Sequence, residues 1–101
     1  MVKHIICLKL KDFAEGNPKP ENARLAKEKL LALKEKIAVI KYMEVGINDP
    51  KAAQDNFDIV LITEFENFNA LSVYQKHPEH VKVAGFIMKI KDTRACVDFE
   101  V

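Results

Sequence analysis

The 101-residue chain reads as a single α+β domain built on a four-stranded antiparallel sheet. Three observations carry that reading. Four segments have the alternating or doubly apolar pattern of strands. One long segment repeats its apolar residues at spacings of three and four, as an amphipathic helix does. A second helical stretch separates the third strand from the fourth, so helices cross over between the first and second strands and again between the third and fourth.

Val2, His4, Ile6, Leu8 and Leu10 share one face of the first strand, and Lys3, Ile5, Cys7 and Lys9 share the other. The stretch DFAEGNPKPEN then collects Gly, Pro and Asn and reads as a loop, with Pro20 suited to a first helical turn. From Glu21 to Lys36 the buried stripe of a helix is Ala23, Ala26, Leu30 and Leu33, continued by Ile37. Lys41 to Asn48 reads as a second strand, with Met43, Val45 and Ile47 on one side, and Asn48-Asp49-Pro50 turns the chain. FDIVLITEF, from Phe57 to Phe65, is β-branched and aromatic and apolar on both faces, the strongest strand signal present. Asn67 suits the cap of a short helix carrying Ala70, Leu71 and Tyr74. Pro78 holds His77 out of helical geometry, so that helix breaks and another runs through Val81 toward Met88. Thr93 to Glu100 alternates again and supplies the last strand.

The order strand, helix, strand, strand, helix, strand is the split βαβ, ferredoxin-like arrangement, whose helices cover one sheet face only. Ile5, Cys7, Val60 and Ile62 are apolar on the other face. A second copy of the chain packed sheet against sheet is the simplest cover, which predicts a homodimer.

Sixteen Lys and Arg against fifteen Asp and Glu, spread along the chain, leave no basic stripe for nucleic acid or an anionic membrane. Lysines interrupt VKHIICLKLKD too often for a signal core or a membrane span, so a cytoplasmic protein is expected. Cys7 and Cys96 have neither metal-ligand spacing nor the density of a disulfide framework and are expected to be buried, reduced thiols. Strand order would make them neighbours, so a cross-strand disulfide is conceivable but disfavoured in a reducing compartment.

VKHIICLKLKD, KIAVIKYMEVGIND, FDIVLITEFE and YQKHPEHVKV with a terminal VDFE, in that order and spacing, resemble the stress-responsive dimeric α/β-barrel family over nearly the whole chain. The resemblance implies a single family domain over residues 1–101, two ferredoxin-like subunits joined into a barrel, and in most members no defined activity. It is also similar in its histidine and tyrosine pattern to the plant polyketide cyclase of that family that makes olivetolic acid, which closes a linear tetraketide thioester without a cofactor. By that similarity His80, the second histidine of HPEH, would be the general base, and Tyr74 and His4 would hold the thioester carbonyl. The helix ARLAKEKLLAL lacks the aromatic residues that line the cyclase's alkyl pocket, and Val73 stands where the cyclase has an acidic residue, so the same substrate is not expected.

Neutral imidazole suits proton abstraction between two carbonyls near neutral pH, and a phenol or imidazole N–H suits the enolate that forms. Position alone also allows His4 and Tyr74 to be satisfied core residues, and His77 to cap the turn after it. His80, near a helix start, meets the positive end of the dipole, which favours its neutral form. No metal site is expected, because Pro78 interrupts the helix that would align the two histidines of HPEH. Two readings therefore stand. One is a cofactor-independent lyase, cyclase or isomerase, or a binder of a small apolar or aromatic, polyketide-like ligand, with its pocket at His4, Tyr74 and His80. The other is a non-catalytic stability or interaction protein whose histidines are structural.

Overall fold

A computed structural model describes all 101 residues. In chain order the elements are β1 (Val2–Leu10), β2 (Phe13–Ala14), β3 (Asn17–Pro18), α1 (Lys19–Lys36), β4 (Tyr42–Ile47), β5 (Ile59–Phe65), α2 (Phe68–Lys76), α3 (Pro78–Ile90) and β6 (Lys91–Glu100). The four long strands form one antiparallel sheet in the order β4-β5-β1-β6. This is the ferredoxin-like α+β fold. No helix is long and apolar enough to cross a membrane.

Central β1 sets the register of the sheet. His4 lies opposite Thr63 on β5 and Asp98 on β6, and Ile6 opposite Leu61 and Cys96, so these residues share the helix-facing side. Ile5, between them, lies opposite Ile62 and Val97 on the side that no helix covers. On the covered side Val2, Leu8, Val45, Ile59, Leu61 and Phe65 meet the α1 stripe of Ala23, Ala26, Leu30 and Leu33 in one core, which Ile37 and Ile40 continue.

The loop expected after β1 is more ordered than its composition suggests. Phe13 and Ala14 pair with Pro18 and Asn17 across a two-residue turn, Glu15-Gly16, with both residues at positive φ (52° and 78°). Positive φ at both central residues is the twist that a tight hairpin needs, and Gly16 accepts it freely. Wholly buried Asn22 on α1 locks this hairpin down by donating to the carbonyls of Ala14 (2.9 Å) and Asn17 (3.3 Å). Pro20 does fall in the first turn of α1.

β5 begins at Ile59 and not at Phe57, because Asp58 turns inward. Its carboxylate accepts from Leu10 N (2.7 Å) while its own N–H donates to Leu8 O (2.8 Å), and Phe57 stays exposed. Asn67 caps α2 by accepting from Ala70 N at 2.8 Å. His77 joins the two later helices. Its φ of −64° and ψ of 135° are the extended geometry that a residue before proline adopts. Its N–H donates to Tyr74 O, closing α2, and its Nδ1 accepts from Glu79 N at 3.1 Å, opening α3.

Cys7 and Cys96 do lie on neighbouring strands, but a disulfide between them within the subunit is excluded by register. Cys96 lies opposite Ile6 and Cys7 opposite Ala95, so the two thiols leave opposite faces of the sheet. Neither is buried as the sequence led us to expect: Cys7 is half-buried and Cys96 exposed, because β6 is an edge strand with little packed over it.

Candidate functional site

The break at Pro78 lets α3 cross the sheet without filling the space beneath it. Between Val83 and Ile87 on α3, Leu30 on α1, and Ile6, Leu8 and Leu61 on the sheet lies a cavity of about 270 Å³. Its walls are mostly aliphatic. Tyr74, His80, Lys91 and Arg94 supply the polar groups.

Tyr74 ends the buried face of α2 and is 1% exposed. Its ring packs at 5.0 Å from that of Phe65 and 4.5 Å from that of His80. Its hydroxyl is buried and meets no protein donor or acceptor. Burial also pushes the phenol up to about 12, so the proton stays on the oxygen throughout the ordinary pH range. An orphaned buried hydroxyl costs about 1–3 kcal/mol, which sets Tyr74 apart from a core tyrosine with a tethered oxygen.

His80 is half-buried in the first turn of α3. Its Nδ1 lies 3.0 Å from the carbonyl oxygen of Gln75. A carbonyl only accepts, so Nδ1 carries the proton and Nε2 keeps its lone pair. Loss of solvent lowers the pKa of His80 from its ordinary 6.5; the Gln75 carbonyl opposes this, and nearby His4, Arg94 and His77 add to it. The imidazole is therefore neutral at pH 7 and basic at Nε2.

His4 is placed differently. It is 2% exposed, behind Tyr74 with ring centroids 6.4 Å apart, and it does not line the cavity. Its Nδ1 donates to the Asp98 carboxylate, and Thr63 Oγ1 donates to its backbone carbonyl at 3.1 Å. The structure thus brings Tyr74 and His80 together at the cavity and leaves His4 one layer back. His77 caps α3 and is not part of the cavity wall.

The ligand-type cluster in the chain is not at HPEH but at His4, Cys96 and Asp98, whose donor atoms lie within 4.8 Å of one another. The Cys96 sulfur is 3.8 Å from His4 Nδ1 and 3.7 Å from Asp98 Oδ1. Burial pushes the Cys96 thiol up, and the Asp98 carboxylate adds to the shift. A metal there would have to displace both the thiol proton and the proton that His4 and Asp98 share.

Sequence reasoning missed Lys91, Arg94 and Asp98. Asp98 was within reach once β6 was aligned beside β1, since it lies opposite His4. Lys91 and Arg94 gave no signal by spacing, being three residues apart on a strand.

Comparison with known proteins agrees with this architecture. The profile of the family described as "Stress responsive A/B Barrel Domain" matches residues 2–101. A dimeric protein of unknown function and ferredoxin-like fold from Bacteroides fragilis is 37% identical, with 99% of this chain and 95% of that one covered and a TM-score of 0.84. A dimeric ferredoxin-like protein of unknown function from Thermobifida fusca is 22% identical, with 99% and 90% covered and a TM-score of 0.83. A hydroxynitrile lyase from Passiflora edulis, 13% identical with 97% and 90% covered, shares the fold at a TM-score of 0.78. No curated protein matches the chain.

Because the Tyr74 hydroxyl is buried without a partner, removing it should relieve a cost. Tyr74→Phe is expected to melt at or above the wild type, by up to about 8 °C for each ~1 kcal/mol relieved in a domain of this size. A clear drop in melting temperature would show instead that the hydroxyl is a satisfied part of the core.

Proposed function

The chain belongs to the stress-responsive A/B barrel domain family, and from that premise we propose that it is a homodimer in which each subunit holds a small-molecule pocket, with His80 as general base and Tyr74 as hydrogen-bond donor. The observation that carries the pocket is the buried Tyr74 hydroxyl, unpartnered, beside the neutral imidazole of His80 on a cavity of about 270 Å³.

The dimer reading rests on the uncovered sheet face. Ile62, Ile5 and Val97 form one row across it and Val60, Cys7 and Ala95 the next. Val97 is 53% exposed and Phe99 40%. Burying such side chains against a second copy contributes about 1.5–3 kcal/mol each, and a two-fold axis would set the same rows against each other. The Bacteroides fragilis protein with this fold is itself dimeric.

In the chemistry we propose, Nε2 of His80 takes a proton from a carbon next to a carbonyl. The C–H electron pair moves into the enolate oxygen, and the Tyr74 O–H donates to that oxygen as its charge develops. This step needs no cofactor and would serve a lyase, cyclase or isomerase. His4, held by Asp98, is a positioning residue behind Tyr74. The second reading, a non-catalytic stress protein, finds support in the His4–Asp98 pair, which structure alone explains, but it leaves the orphaned hydroxyl without a role.

Exchange of the acidic protons of a simple acetoacetyl thioester into deuterated water, followed by proton NMR, tests the base. His80→Gln is expected to slow the protein-catalysed rate by about 100-fold or more. Since His80 acts when neutral and its pKa is lowered, the wild-type rate should fall to half of its plateau only below pH 6.5. An unchanged rate in His80→Gln would remove His80 from this role.

The dimer is tested by light scattering after size exclusion. The wild type should have twice the chain mass and Val97→Asp the mass of one chain, whereas a monomeric wild type would contradict the assembly.

A further inference from the structure

We propose that the pocket takes a ligand with a compact apolar body and a terminal carboxylate, which Arg94 and Lys91 hold at the rim. The inference rests on the pocket reading above and adds to it the class of molecule that enters.

The first support is how β6 delivers both cations to one place. Residues three apart on a regular strand leave opposite faces. Here the pairing shifts between Lys9 and Leu10: Lys9 lies opposite Thr93 but Leu10 lies opposite Lys91, so Asp92 is an extra residue in β6. That bulge turns Lys91 to the helix-facing side, where Arg94, opposite Leu8, already points. Both line the cavity. Bulges commonly re-aim a side chain next to a site in this way.

The second support is that neither cation is neutralised. Lys19, Lys36, Lys82, Lys89 and Arg24 each find a side-chain carboxylate within 4 Å, whereas Lys91 and Arg94 find none. Other lysines also lack such a partner, but Lys91 and Arg94 are the two cations on the cavity wall. Of the acids on the same face of β6, Asp98 is engaged by His4, and Glu100 lies at the far end of the strand, opposite Val2. Arg94 also helps to lower the pKa of His80, which places its charge within electrostatic reach of the base.

The occupant follows from these surroundings. Aliphatic walls from Ile6, Leu61 and Ile87 favour an apolar body, and the volume suits a single ring with a short chain. An arginine fork beside a lysine favours a planar anionic group that accepts two hydrogen bonds, which a carboxylate does. Arg94 is exposed and Lys91 half-buried, so the anion would stay at the mouth of the cavity, partly solvated, with the body reaching inward to Tyr74 and His80.

The test compares 4-phenylbutyrate with 4-phenylbutanol, which differ chiefly in the charged end, by following amide shifts of α3 in the dimeric protein at low salt. The acid is expected to bind at least about tenfold more tightly than the alcohol, as charge-assisted hydrogen bonds allow. In the double variant Lys91→Met, Arg94→Met that preference should fall to within about threefold, with the alcohol bound as before. Equal binding of acid and alcohol to the wild type, or an undiminished preference in the double variant, would overturn the carboxylate inference while leaving the pocket in place. Failure of both compounds to shift any cavity residue up to their solubility limits would overturn the inference and the pocket together.

Discussion

The alternation of side chains along β1 organises the whole molecule. This strand pairs on both sides, and its period of two sends His4, Ile6, Leu8 and Leu10 under the helices and Ile5 and Cys7 away from them. A slip of one residue would reverse both sets, burying Lys3 and Lys9 and exposing the core. The same register sets Asp98 against His4, Arg94 against Leu8, and the two cysteines on opposite faces. Core, site and uncovered face are thus three consequences of one pattern.

The uncovered face and the cavity are both departures from maximum stability, on opposite sides of one sheet. The first is an apolar surface of the kind that asks for a partner. The second is a space bounded by aliphatic groups, with a hydroxyl that nothing satisfies and an imidazole held neutral by loss of solvent. Pro78 is the local cause of the cavity. It ends α2 directly after the turn that carries Tyr74 and starts α3 in a new direction, with His77 satisfying backbone groups on both sides of the break. A continuous helix would carry Tyr74 and His80 on different faces, six residues apart. The break brings their rings to 4.5 Å.

What was legible in the sequence was whatever depends on local periodicity or a single stereochemical rule. The β1 faces, the stripe of α1, the Asn67 cap and the break at Pro78 all follow from such rules, and the structure has each of them. The element order was enough to give the sheet topology. The β2–β3 hairpin was not legible, because two-residue strands have no period and Glu15 is not a residue that announces positive φ. Nor was the role of β6: the bulge at Asp92 breaks the alternation on which face assignment depends, so nothing in the pattern put Lys91 and Arg94 on one face. His4 was legible as an inward residue, but only the pairing with Asp98, ninety-four positions away in sequence, places it behind the cavity wall.

Everything proposed for the cavity needs His80 to stand neutral beside it with its basic nitrogen free. Nitrogen-15 NMR of the histidine rings through a pH titration tests it most directly. His80 should titrate below 6.5, with Nδ1 protonated and Nε2 carrying the lone pair in the neutral form. A pKa at or above 6.5, or a proton resting on Nε2, would contradict it.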